Sequence, residues 1–121
     1  MKNNSKFPSS LELLLDGLID NLSKIQRGFD NYQNECFENR TSEFFCLELN
    51  GEAGELANLE KKSWKGKPIP QEKFEDEAAD VLIALINYSN AKNINLAKSV
   101  YDKLIKIEKY RSELENIGEK Y

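Results

Sequence analysis

The sequence has no histidine, only two cysteines, one tryptophan and no apolar run approaching the ~20 residues that span a bilayer. Without histidine there can be no His-ligated zinc site, no Ser-His triad and no imidazole general base. Any catalysis must therefore run on carboxylates, lysines and metal. Cys36 and Cys46 both fall in segments of helical pattern, so two reduced thiols are expected rather than a structural disulfide. The first residues, Met1-Lys-Asn-Asn-Ser-Lys and then Phe7-Pro-Ser-Ser, lead into amphipathic rather than uniformly apolar sequence, which does not fit a signal peptide. The expected location is cytoplasmic, with no membrane partner. Excess positive charge is also lacking: the net charge of −4 argues against a nucleic-acid polymer as partner, although a small anionic substrate remains compatible with local basic residues.

What is present is helical periodicity. A length of 121 residues and a charged share of 31% fit one helix-rich domain with a modest core, and no strand pattern occurs. Residues 1–8 read as a flexible tail ending at Pro8, and residues 9–118 as a single all-α domain. Ser9 and Glu12 have capping-box spacing. The series Leu11, Leu15, Leu18, Leu22, Ile25, Phe29, Tyr32, Cys36 then steps by fours and threes and predicts a long first helix with a narrow seam. About 27 residues make a rod of roughly 40 Å. A rod of that length, with Leu14 and Ile19 off the seam, suggests a second partner surface and an oligomer; the alternative is a slightly bent helix broken near Gly28.

Thr41 or Ser42 should cap a second helix over about Glu43–Ser63, and Pro68, Pro70 and Gly66 punctuate its end. A third helix is expected from Gln71 or Glu72 to about Ala91. Its run Val81-Leu-Ile-Ala-Leu-Ile86 is apolar all round, which calls for burial on every side. Asn93 or Asn95 should cap a last helix with the stripe Leu96, Val100, Leu104, Ile107 and Leu114, ending near Gly118.

Two acidic pairs stand out on this scaffold. Glu52 and Glu55 are three apart, as are Glu77 and Asp80, so on helices each pair presents its carboxylates to one side. At about 100° per residue, Glu52 falls in the apolar stripe of Phe45, Leu49, Leu56 and Leu59, and Glu77 in line with Phe74, Val81, Ala84 and Tyr88. Carboxylates turned toward a core are costly unless a cation or hydrogen bonds compensate them. Two such pairs face to face would supply the oxygens that Mg²⁺ takes, about six including water or phosphate. Pairing with lysines on an ordinary helical surface is the alternative. Glu48, one turn before Glu52, is a reserve ligand. Gly51 and Gly54 lie in the same helix at a cost of about 1 kcal/mol each relative to alanine, leaving room either for a packed helix or for a ligand. Lys61, Lys62, Lys65 and Lys67 surround Trp64; the helix dipole accounts for the first two, and stacking of a base with phosphates held by lysine is the functional reading. Lys103, Lys106 and Arg111 on the last helix are further candidates for an anionic substrate.

The motifs Gly51-Glu-Ala-Gly-Glu-Leu56, Lys61-Lys62, Glu77-Ala-Ala-Asp80-Val-Leu and Asn93-Ile-Asn-Leu96, followed by a lysine-bearing last helix, closely resemble the MazG-like branch of the all-α nucleoside triphosphate pyrophosphatases. The resemblance covers roughly residues 29–111. It implies a four-to-five-helix bundle protomer that assembles as a homodimer or homotetramer. It implies Mg²⁺, with Mn²⁺ able to substitute, held by Glu52, Glu55, Glu77 and Asp80. The implied reaction is hydrolysis of a (deoxy)nucleoside triphosphate to monophosphate and pyrophosphate, with Glu55 or Glu52 positioning the nucleophile. Lys61, Lys62, Trp64, Lys65, Lys103, Lys106 and Arg111 become the expected substrate contacts. Gly51 stands where many members carry a second acid, and the last-helix cations do not align cleanly with the usual Lys-Asn-Arg pattern. The same superfamily holds dUTPase-like and phosphoribosyl-ATP pyrophosphohydrolase-like members, and a non-catalytic helical interaction module is the reading from a different class.

Overall fold

The computed structural model describes residues 7–121; the expected tail is therefore outside the described residues over positions 1–6. Every regular element among the described residues is helical: α1 Ser9–Gly17, a π-helical segment Leu18–Leu22, α2 Ser23–Cys36, α3 Ser42–Trp64, α4 Gln71–Ala91 and α5 Leu96–Asn116. None of these helices is long and apolar enough to cross a membrane. The chain divides into two compact units, one made of Met1–Arg27 with Asn95–Tyr121, the other of Gly28–Ile94.

In the first unit, α1 begins one residue earlier than the capping-box spacing predicts. Pro8 is the N-cap and its carbonyl accepts from the Leu11 and Glu12 amides at 3.0 and 3.1 Å, so Ser9 is already inside the first turn and makes no side-chain cap. The helix is continuous from Ser9 to Cys36, and its irregularity is the π segment rather than Gly28. A π turn accommodates one extra residue and rotates the face that follows it. The expected seam accordingly holds through Leu22 and then shifts: Gln26 is buried, while Ile25 is 49% and Tyr32 57% exposed. Cys36 is exposed as well, and both cysteines are free thiols. The buried Gln26 has a task, since its Oε1 accepts from the Leu96 amide at 3.0 Å. Together with Asn95 Oδ1, which accepts from the Lys98 amide at 3.1 Å, it satisfies two of the orphan donors at the start of α5. Gly118, at φ +80°, turns the chain after α5 so that the Glu119 amide reaches the Leu114 carbonyl at 2.8 Å.

In the second unit, Thr41 caps α3 as its residue type predicts, its Oγ1 accepting from the Phe44 amide. Gly66, at φ +93°, provides the left-handed residue that the turn after Trp64 requires, and Pro70 caps α4. A connection of this length folds α3 and α4 back as a helical hairpin, and the two helices pack along each other. Their facing stripes are the expected ones: Phe45 is buried and Leu49, Leu56 and Leu59 half-buried on α3, against Phe74, Val81, Ala84 and Tyr88 on α4. The apolar run of α4 departs from expectation. Ala84 and Ile86 are buried, but Leu82 is 55%, Ile83 40% and Leu85 36% exposed. Ile86 and Ser89 fall in the same angular range as Leu82, Ile83 and Leu85 but are each 1% exposed, so cover on this side of α4 is lost along the helix, at the earlier turns of the run, rather than around it. Asn93, at φ 56°, ends α4 in place of a glycine, with the Ile94 amide bonded to the Ser89 carbonyl at 2.8 Å. Asn95, not Asn93, is the cap of the last helix.

Candidate metal centre

Glu52, Glu77 and Asp80 are the half-buried acids of the α3–α4 hairpin, and the first two each lie one turn away from an apolar neighbour of their own stripe, Leu49 and Phe74. The hydrophobic pattern that pairs the helices thereby fixes where these carboxylates point. One carboxylate oxygen from each of Glu52, Glu55 and Glu77 lies within 4.8 Å of the other two. A second group, Asp76, Glu77 and Asp80, meets the same limit, and Glu77 belongs to both. All four acids singled out in the sequence thus join one contiguous cluster. Asp76 is an addition to them; its signal was the four-residue spacing to Asp80, which puts both on one helix face. Glu48 is exposed and belongs to neither group.

The electrostatics of the cluster follow from crowding. Glu77 is pushed up to about 7, first by the hydrogen bond it shares with Glu52, then by burial and by Glu55. For Glu52 the bond to Glu77 acts downward, but burial and the charges of Glu55 and Asp80 outweigh it and raise the group. A hydrogen bond between two carboxyl groups requires a proton on one of them, because ionised carboxylates only accept. With both ionised, Glu52 Oε2 and Glu77 Oε2 are buried and have no hydrogen-bond partner. Two orphaned, inward-facing carboxylate oxygens in an all-oxygen donor set suit a hard divalent cation of the Mg²⁺ type.

Around the cluster the surface is open on α3. A Cβ placed on Gly51 or Gly54 meets nothing within 4 Å, so neither glycine is there to let another helix of this chain approach. The basic turn lies farther along. Lys61, Lys62, Lys65 and Lys67 are exposed, and Trp64 is 87% exposed. From Glu55, Lys61 is six residues on, about 9 Å of helix. Lys103 and Lys106 are exposed on α5, in the other unit. Arg111 is engaged within α5: its Nε and Nη2 donate to Glu108 at 2.8 and 2.6 Å and its Nη1 to Glu115 at 2.9 Å. These bonds hold its guanidinium charged and keep the Glu108 carboxyl below its usual range. The cluster itself is built from α3 and α4 alone.

No family model, curated protein or solved structure matches the chain.

Proposed function

We propose that the chain is a Mg²⁺-dependent nucleoside triphosphate pyrophosphohydrolase of the MazG-like all-α type, cleaving a (deoxy)nucleoside triphosphate to monophosphate and pyrophosphate and working as a homodimer or homotetramer. The observation that carries the reading is the meeting of Glu52, Glu55 and Glu77 within 4.8 Å, with a buried, partnerless oxygen on two of the three. Such an arrangement is a poor way to hold two helices together and a good way to hold a cation.

Glu52, Glu55, Glu77 and Asp80 are the residues that would hold the metal, with Asp76 at the margin. When bound, the ion would neutralise phosphate charge and lower the pKa of a water. Glu55, the exposed member of its group, has the freedom to accept a proton from a water directed at phosphorus, while half-buried Glu52 keeps it oriented. Lys61, Lys62 and Lys65 would meet the leaving pyrophosphate as point charges, with Trp64 beside them. Lys103 and Lys106 are exposed on α5. Arg111 would first have to give up its bonds to Glu108 and Glu115.

A specific observation also favours the non-catalytic helical interaction module: the exposed Leu82, Ile83 and Leu85 offer α4 to another protein surface. One experiment separates the readings. Release of pyrophosphate from a panel of nucleoside triphosphates is measured with Mg²⁺ and with chelator, for the natural protein and for Glu55→Gln. Pyrophosphate that requires both metal and Glu55 supports the hydrolase. Phosphate in its place moves the cut to the γ position, and no turnover in a folded protein indifferent to Mg²⁺ leaves the interaction module.

A further inference from the structure

The second unit contains a small polar cleft of about 80 Å³ at the end of the α3–α4 hairpin away from the lysine-bearing turn. Its walls are rich in side-chain amides: Gln33 and Asn34 from α2, Asn39 from the connection to α3, Asn87 and Asn90 from α4. We propose that this cleft receives the edge of the substrate's nucleobase, so that the nucleotide lies along the hairpin with its base among these amides and its phosphates toward the basic turn. The proposal rests on the nucleotide reading of the acidic cluster and adds to it the place where the base is read.

Position supports it first. Asp80 and Asn87 are seven residues apart on α4, as are Phe45 and Glu52 on α3, which places the cleft about 10 Å from the acids along both helices. Because the hairpin runs antiparallel, both displacements point away from Lys61, Lys62, Lys65 and Lys67. The acidic cluster therefore lies between a cationic end and an amide end, the order in which a metal-bound triphosphate would need its contacts.

Chemistry supports it second. An amide offers a donor and an acceptor, the alternation that the edge of a neutral heterocycle presents, and it does so without charge. The one acid and one base in the lining, Asp30 and Arg40, leave no net charge for a phosphate. Arg40 is in addition occupied, paired with Glu38 at 3.2 Å and lying over the Phe44 ring at 4.6 Å. Gln33 Nε2 donates to the Glu38 carbonyl at 3.1 Å, which fixes the direction of that amide. The side chains of Asn34, Asn39 and Asn87 make no hydrogen bond among the described residues, so their donors and acceptors are available. Buried Phe45 gives the cleft an apolar wall.

The test compares kcat/KM over adenine, guanine, cytosine, uracil and thymine triphosphates for the natural protein, Asn87→Ala, Asn34→Ala and Trp64→Ala, each checked by thermal melting. Loss of one neutral hydrogen bond is worth about three- to tenfold. The expected result is a loss of that size for the best base in Asn87→Ala and Asn34→Ala, with a narrowed spread between bases. Equal losses on all bases, an unchanged spread between bases, or a spread narrowed by Trp64→Ala alone would overturn the proposal. Should half-buried Asn87 prove necessary for folding, exposed Asn34 carries the comparison. If the natural protein cleaves no triphosphate, the function assigned to the acids fails, and the cleft is judged separately by adding uncharged nucleosides to ¹⁵N-labelled protein. Shifts confined to the side-chain amides of Gln33, Asn34, Asn39 and Asn87 would keep the base site; unmoved amides would remove it.

Discussion

Glu52 and Glu77 face each other from α3 and α4, and each buries one Oε2 with no hydrogen-bond partner. The hairpin is thus closed over a repulsion that a proton or a cation must relieve. This single relationship links the packing of the unit to its proposed chemistry, because the apolar stripes that bring the helices together also force the two acids together.

The first consequence is a pH dependence of the metal-free protein. Glu77 is raised in the fold to about 7 from an ordinary value near 4.5. Between those values the folded state binds more protons than the unfolded one, so stability falls as pH rises. The contribution is fully present below about 4.5 and is lost as pH passes through about 7. Melting curves in chelator from pH 5 to 8 should show a declining Tm from this group, and Glu77→Gln should flatten the decline.

A divalent cation should act in place of the proton. At pH 8, millimolar Mg²⁺ is expected to raise the Tm in a saturable way, because a ligand that binds only the folded state adds stability with the logarithm of its concentration; a hundredfold excess over Kd adds about 2.7 kcal/mol. Calorimetric titration should find binding abolished by Glu52→Gln or Glu77→Gln and only weakened by Asp76→Asn, since Asp76 is exposed and belongs to just one of the two groups. Equal effects from all three variants would place Asp76 among the principal ligands.

Much of this arrangement was legible in the sequence, and the exceptions have physical causes. Helix boundaries from Thr41 to Ala91 followed from cap and breaker residues, and the four acids from their three-residue spacing within apolar stripes. The first helix departs from its sequence spacing after Leu22 because a π turn leaves no mark in composition; Gln26 looks like a surface residue until the turn brings it inward, while Phe29 stays half-buried. The run Val81–Ile86 calls for cover on all sides by its apolarity, but apolarity does not say which surface supplies that cover. The amide cleft had no sequence signal, since asparagine and glutamine recur as ordinary surface residues and only the fold brings these particular ones together.

Gln26 should matter for stability despite its polar character. Its Oε1 takes the Leu96 amide that opens α5, and Gln26→Ala would leave that donor without its partner, a loss of about 1–3 kcal/mol by chemical denaturation. Gln26→Glu keeps an acceptor at the same reach and should recover part of the loss. An alanine variant as stable as the natural protein would mean that water serves the Leu96 amide equally well.

The glycines beside the acids separate packing from ligand approach. Beyond the backbone of its own helix and its chain neighbours, no described atom lies within 4 Å of a Cβ added at Gly51 or Gly54, so alanine at either position should stabilise the metal-free chain by about 1 kcal/mol through helix propensity. If the substrate comes down onto this open face, the same alanines should lower kcat/KM while raising Tm. Stabilisation with unchanged turnover would place the substrate elsewhere around the cluster.

The exposed sector of α4 gives the sharpest test of assembly. Leu82, Ile83 and Leu85 are exposed, and a charge at such a solvent-facing position ordinarily changes stability by no more than about 0.5 kcal/mol. If this sector is where subunits of the proposed oligomer meet, the cost is very different, because a carboxylate would be desolvated without a partner. Leu82→Asp combined with Leu85→Asp should then convert the assembly to monomer in sedimentation velocity and make its melting independent of concentration, whereas the natural protein melts higher at higher concentration. A double variant that sediments and melts as the natural protein does would leave this sector facing solvent and require the subunits to meet through another surface, for which exposed Leu14 and Ile19 on the first helix are the next residues to charge.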